Sequence, residues 1–113
     1  METTLDKMCD WERKKGIFLM SIAEDLGMNT SGYGQLAVNP NSGYTYLWLE
    51  DYPFTLFMPI SCELKKSDVS ALWSNPEDGT EWGMDLSEDT NLDNLYKFVE
   101  NCENGKTDEY DQY

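Results

Sequence analysis

Between Tyr33 and Leu86 the chain repeats one pattern: a short run of alternating or apolar residues, then a cluster of turn formers. Tyr33 to Val38 gives way to Asn39-Pro40-Asn41-Ser42-Gly43. Tyr44 to Leu49 then sets Tyr44, Tyr46 and Trp48 on one side and Thr45, Leu47 and Leu49 on the other. Glu50-Asp51-Tyr52-Pro53 reads as the next turn, followed by Phe54, Leu56, Met58 and Ile60 at period two, with Pro59 marking an edge or an early end. Val69, Ala71 and Trp73 open a fourth run. Asn75-Pro76-Glu77-Asp78-Gly79 joins it to Thr80–Leu86, where Trp82, Met84 and Leu86 should point inward and Glu81 and Asp85 outward. Short connections imply neighbouring antiparallel strands, so the central half of the chain predicts a sheet of about five.

Helical periodicity flanks that sheet. Phe18, Leu19, Ile22, Ala23 and Leu26 recur at helical spacing and Gly27 suits the position just past a helix end. Leu5, Met8 and Trp11 give a weaker stripe. Thr3 or Thr4 is the expected N-cap, Asp6 falls in the first turn, and a bend or restart is expected at Gly16. A second helix should begin near Ser87 or Thr90 and carry Leu92, Leu95, Tyr96, Val99 and Cys102 to its end at Asn104-Gly105. The fold class that follows is α+β: an N-terminal helix, an antiparallel sheet of about five strands and a C-terminal helix, in two layers. Residues 1–105 form the expected domain and 106–113 an acidic C-terminal tail, read as solvated chain.

The charge is extreme for such a chain: 22 acids against 8 bases and no histidine, for a net −14. Disorder produces similar charge, but with few aromatics, and this chain has four Trp, seven Tyr and four Phe. The negative field repels phosphate backbones and anionic lipid and attracts basic surfaces, so neither direct nucleic-acid binding nor membrane binding is expected. Three widely spaced cysteines, Cys9, Cys62 and Cys102, form neither a disulfide framework nor a zinc pattern and read as reduced thiols. The longest mostly apolar stretch, residues 16–23, is too short to span a bilayer, and the mixed-charge start is unlike a signal peptide. A cytoplasmic location is the expectation.

Little in the sequence points to catalysis. Without histidine the commonest general base and neutral metal ligand are gone. Carboxylate pairs are guaranteed by number alone and diagnose nothing. Asp85, Ser87, Asp89, Asn91 and Asp93 fall on alternate positions like the start of a calcium loop. The sixth position is Thr90 and not Gly, and the twelfth is Tyr96 and not Glu, so a strand end, a turn and a helix cap are the better reading. No cofactor motif is present, and the basic triplet Arg13-Lys14-Lys15 reads as a solvated helix face. The alternative function class is a calcium-binding protein or a small carboxylate-based enzyme.

The placement of the acids carries more. Twelve carboxylates and two lysines lie between Glu77 and Tyr113, so most of the net charge sits on the last hairpin, the last helix and the tail. Carboxylates at i and i+2 on a strand face lie roughly 6.5–7 Å apart, and at i and i+4 on a helix, as Asp89 and Asp93 would be, about 5–6 Å. Such a row imitates a line of phosphates. The expected partner-binding residues are Glu77, Asp78, Glu81, Asp85, Glu88, Asp89 and Asp93, with the stripe Tyr44, Tyr46 and Trp48 either an interface hot spot or a second buried face of a central strand. The expected partner is a basic protein, a nucleic-acid-binding protein or nuclease. In size, acidity and aromatic content the chain resembles phage- or plasmid-encoded anti-restriction and anti-CRISPR proteins. That resemblance implies an acidic inhibitor occupying a nucleic-acid-binding surface. It rests on composition and size, with no motif through which residues could be carried over. An immunity protein or antitoxin against a basic toxin needs the same acidic face and is the alternative.

Overall fold

Alternation decides which way each strand faces. The structure, a computed structural model, describes residues 2–3, 9–39, 41–59 and 63–113. In β3 (Thr45–Leu49) the residues Thr45, Leu47 and Leu49 are buried, while Tyr46 and Trp48 turn the other way. The strand register carries this split across the sheet. Leu47 lies opposite Leu36 of β2 (Gly34–Val38) and Leu56 of β4 (Thr55–Met58). Leu56 faces Ala71 of β5 (Ser70–Ser74), and Ala71 faces Met84 of β6 (Glu81–Asp85).

These five strands form the antiparallel meander that the alternation predicts. A two-residue piece completes each edge: β1 (Glu2–Thr3) runs parallel on β2, and β7 (Asp111–Gln112) pairs antiparallel with β6. The sheet has seven strands in chain order, of which β2 to β7 pair antiparallel. Two residues carry no period, which is why a count from alternation stops at five.

Two of the hairpins close with the same loop. Asn39–Gly43 and Asn75–Gly79 share the frame Asn-Pro-x-x-Gly. In each, the glycine N–H donates to the asparagine carbonyl (2.8 and 2.9 Å) and the asparagine N–H donates to the carbonyl just past the glycine (2.8 and 2.7 Å). The side-chain oxygens of Asn39 and Asn75 accept from the N–H of Asn41 and Glu77. Both glycines sit in left-handed backbone, at φ +74° and +75°, where a Cβ is strained.

Both helices lie on one face. Helix α1 (Asp10–Asp25) buries Lys15, Gly16, Leu19, Ile22 and Ala23, with Leu26 and Met28 following. It starts later than the threonine caps predict: Thr3 belongs to β1, and Thr4, Leu5, Asp6 and Met8 lie outside the described residues. Cys9 occupies the N-cap without a side-chain bond, and Asp10 and Glu12 supply the negative charge the first turn favours. Nor does the helix restart at Gly16, which is buried in an unbroken run. The end is as read: Gly27 has φ +86°, and the Met28 and Gly27 N–H groups close onto the carbonyls of Ala23 and Glu24. Successive helical residues point about 100° apart, so the basic triplet does not share a face. Lys14 is exposed, Arg13 pairs with Asp10 at 3.6 Å, and Lys15 is buried with its Nζ donating to the Pro59 carbonyl at 3.3 Å.

Helix α2 (Leu92–Glu103) is capped by Asn91 and not by Ser87 or Thr90. The Asn94 N–H donates to Asn91 Oδ1 at 3.0 Å, and the Asn91 N–H to Asn94 Oδ1 at 2.8 Å, a reciprocal box. Ser87 and Thr90 bond each other in the turn before it. The buried stripe is Leu95, Phe98, Val99 and Cys102. Tyr96, expected in that stripe, is instead exposed beside Tyr52 and Phe54. The core is thus one apolar layer between the helices and the inner sheet face, holding Leu19, Ile22, Leu36, Leu47, Leu56, Val69, Leu95 and Phe98. The segment past Gly105, expected as solvated chain, returns to the sheet. Tyr110 stands edge-on to Phe98, its hydroxyl accepts from Asn101 Nδ2 at 2.9 Å, and β7 follows.

Candidate binding face on the helix-free side of the sheet

With both helices on one side, the outward residues of β3 to β7 form an open face. The alternation that buries Leu47 and Leu56 brings out Tyr46 and Trp48 of β3, Thr55 and Phe57 of β4, Ser70, Leu72 and Ser74 of β5, and Glu81 and Asp85 of β6. Tyr44, just before β3, joins them. The stripe Tyr44, Tyr46 and Trp48 is therefore not a second buried face within this chain: Tyr44 is 37% and Trp48 38% exposed.

Rings dominate the centre. Phe57 is 8% exposed, and two tyrosines stand steeply against it: Tyr44 at 5.5 Å and 70°, Tyr113 at 5.5 Å and 89°. Around them lies a cavity of about 510 Å³, lined by Asn39, Ser42, Tyr44, Tyr46, Trp48, Thr55, Phe57, Leu72, Ser74, Glu81 and Tyr113. Past Trp48 a smaller hollow of about 220 Å³ continues between Tyr52, Pro53 and Phe54. Tyr33 meets the edge of the same patch, its ring perpendicular to Trp48 at 5.9 Å.

Tyr113 reaches this face because position 83 is glycine. The backbone holds Tyr113 through its N–H to the Glu81 carbonyl at 2.8 Å, and the ring then lies across Gly83. A Cβ on Gly83 would fall 2.3 Å from Tyr113 Cε2. Burial raises the Tyr113 phenol above its ordinary range. The Asp85 and Asp111 carboxylates push the same way, and Ser70 opposes them through a hydrogen bond.

The electrostatics of the face have one sign. Glu81 lines the cavity, Asp85 accepts from Ser70 Oγ at 2.6 Å, and Asp111 lies opposite Gly83 in the register. Among the described residues no strand contains a lysine or arginine. Among the described residues the ion pairs are Asp10–Arg13, Glu63–Lys65 and Lys97–Glu100, all away from this face.

The acids read as one row from the sequence divide among three places. Glu77 and Asp78 sit in the β5–β6 turn, where the Thr80 hydroxyl and N–H (2.7 and 2.9 Å) hold the Asp78 carboxyl below the usual range. Glu81 and Asp85 lie on the open face four residues apart, roughly 13 Å along the strand, with the Tyr113 ring over the glycine between them. Glu88 and Asp89 belong to the β6–α2 connection, clipped by Lys66 Nζ to the carbonyls of Glu88 (3.3 Å) and Thr90 (2.7 Å), and Asp93 is in the first turn of α2. The helix starts at Leu92, so Asp89 and Asp93 are not a helical i, i+4 pair.

The alternate oxygens from Asp85 to Asp93 form a strand end, a turn and a cap. Among the described residues, no group of three or more Cys, Asp or Glu side chains is placed to hold a metal ion. Cys9 is exposed and Cys102 buried, with burial raising the Cys102 thiol; Cys62 lies outside the described residues. No helix among the described residues is long and apolar enough to cross a membrane.

Sequence reading missed Phe57, Leu72, Asp111 and Tyr113. The first two were accessible, since alternation that puts Leu56 inward must put Phe57 outward. For Tyr113 the only sign was Gly83 inside an alternating strand, a position that often marks a close approach of another group. No protein-family model matches this chain, and neither does any curated protein or solved structure.

Proposed function

We propose that this protein is a binding protein and not a catalyst, and that its partner is a basic protein docked on the helix-free face of the sheet. One observation carries the reading: the exposed rings of Tyr44, Trp48 and Tyr113 and the half-buried Tyr46 share that face with Glu81, Asp85 and Asp111, and among the described residues no cation lies with them. Half-exposed aromatics set in a hollow are the residue type that dominates interface energies. Unneutralised carboxylates beside them select a positive surface and speed encounter with it.

The partner class we propose is a nucleic-acid-binding protein or nuclease, whose phosphate-binding surface this face occupies. A surface rich in lysine and arginine accepts carboxylates for the reason it accepts phosphates, and the rings add apolar anchors that a sugar-phosphate backbone lacks. Inhibition by occupancy, as in an anti-restriction or anti-CRISPR role, is the function this supports. The acids of the β5–β6 turn and the β6–α2 connection add to the negative field around the fold.

The test is affinity capture with the wild-type chain and with the double variant Glu81→Lys/Asp85→Lys, each at low and high salt. Capture of a nucleic-acid-binding protein that is lost both on charge reversal and at high salt supports the reading. Capture that survives charge reversal, or no capture at low salt, refutes it.

A further inference from the structure

We infer that the hollow between Tyr44, Phe57 and Tyr113 seats one arginine side chain of the partner, its guanidinium against the rings and paired with the Glu81 carboxylate. The inference rests on the basic-partner reading and says which residue of the partner that face was built to hold.

Phe57 forms a nearly buried floor, and the rings of Tyr44 and Tyr113 rise from it at 70° and 89°, both 5.5 Å away centre to centre. Rings set steeply to Phe57 leave an open hollow beside it, where a flush aromatic stack would leave less space. The cavity, about 510 Å³, is deep enough for a long side chain with part of its neighbours. Aromatic faces carry negative quadrupole density, so a box of rings favours a cation over a neutral group.

Charge then narrows the occupant. Among the described residues Glu81 is the one acidic side chain lining the cavity, it is half-buried, and no lysine or arginine lines the cavity with it. An unneutralised carboxylate at the wall of an aromatic box is complementary to a cation that can stack and form hydrogen bonds at once. Guanidinium does both. It is planar and weakly hydrated, packs flat on rings, and offers a fork of N–H donors that matches a carboxylate. A lysine ammonium is a compact, strongly hydrated point charge and gives up more on entering the same space. Asn39 and Ser42 at the rim leave polar atoms for the backbone of an incoming segment.

The experiment titrates the full chain with two tetrapeptides, acetylated and amidated, one of four arginines and one of four lysines. Calorimetry gives the affinity, and ring resonances of Tyr44, Phe57 and Tyr113 give the place. The arginine peptide is expected to bind about tenfold tighter than the lysine peptide and to shift those resonances. Glu81→Gln and, separately, Tyr44→Leu should each erase most of that preference while the melting temperature stays near wild type. Equal affinity for the two peptides, no binding of either, or an unchanged preference in Glu81→Gln overturns the arginine seat. So does tighter binding of tetramethylammonium than of the arginine peptide at the same rings, which would assign the box to a methylated ammonium. These outcomes separate from failure of the partner reading. If Glu81→Gln and Tyr44→Leu capture the same basic partner as wild type while the double charge reversal does not, the seat fails and the docking face stands.

Discussion

Replacing Gly83 with alanine should detach the last residues from the sheet at almost no cost to global stability. The added methyl would sit 2.3 Å from Tyr113 Cε2 and 3.1 Å from the Ala71 carbonyl oxygen. The second distance is relieved by a few tenths of an ångström. The first requires the ring to leave. Tyr113 is 50% exposed, so about half of the roughly 200 Å² an aromatic side chain can bury is at stake, near 2.5 kcal/mol at about 25 cal/mol per Å². The edge-on contact with Phe57 adds about 0.5–1.5 kcal/mol, and the lost Tyr113 N–H bond to the Glu81 carbonyl about 0.5–1.5 kcal/mol more. Against this, freeing residues 111–113 returns about 1–2 kcal/mol of backbone entropy each, and alanine in a strand is favoured over glycine by about 0.5–1 kcal/mol. The terms nearly cancel. The net change should lie within about 1 kcal/mol, or roughly 5 °C in Tm for a chain of this size. Local protection, however, should vanish. The assay is amide hydrogen exchange by NMR beside a thermal melt: the Tyr113 N–H, bonded to the Glu81 carbonyl at 2.8 Å in the wild type, should exchange at the rate of an open chain in Gly83→Ala, with core amides unchanged. Retained protection at Tyr113, or a Tm loss above about 10 °C, would refute the account of Gly83 as the space for that ring.

Four further outcomes follow from the packing. Thr45 is fully buried on β3 and its hydroxyl has no hydrogen-bond partner among the described residues; Thr45→Val should stabilise by about 1 kcal/mol, read as a rise in the urea midpoint. Asn91→Ala removes one half of the α2 capping box and should cost about 1 kcal/mol, visible in the melt. Leu56→Ala, at the centre of the core with no exposure, should cost about 2–5 kcal/mol in denaturant unfolding. Stability should also fall with alkali: burial holds the Cys102 thiol and the Tyr113 phenol above their ordinary values, so their contribution is complete below about 8.5 and 10 respectively and is lost as pH rises through the higher folded values. Melts from pH 7 to 11 should show this decline, and Tyr113→Phe should flatten its upper part.

The sheet was readable because its signal is local and repeated. Alternation in Tyr44–Leu49 and Thr80–Leu86, with two Asn-Pro-x-x-Gly loops, fixes strand position, direction and inward face together. Helix starts were not readable in the same way. Ser87, Thr90 and Asn91 all satisfy the chemistry of a cap, and only the placement of Asn94 three residues on selects Asn91. Cys9 carries no capping signal at all. Lys15 reads as a surface residue because burial of a lysine depends on a distant carbonyl, here Pro59. The aromatic half of the face was visible as an alternating stripe, but its openness depended on both helices choosing the other side. The acidic half is not set by closeness in sequence. Glu77, Asp78, Glu81, Asp85, Glu88, Asp89 and Asp93 are close in sequence, yet a turn, a strand face and a helix start send them to different places. Tyr113 came from a contact across the sheet edge that no local pattern encodes.

Strand order that equals chain order has a kinetic meaning. Each of β3 to β6 meets its predecessor through a connection of 5 or 6 residues, or 11 between β4 and β5, so pairing can zip forward one hairpin at a time with modest loop entropy to overcome at each step. The exception is β1, whose parallel partner lies on the far side of α1 and must wait for that helix to dock. On this route the rings of β3 and β4 meet first, the Glu81 wall arrives with β6, and Tyr113 closes the box last. A chain caught before that final step would already hold its core and most of its open aromatic face, with the glycine of β6 bare.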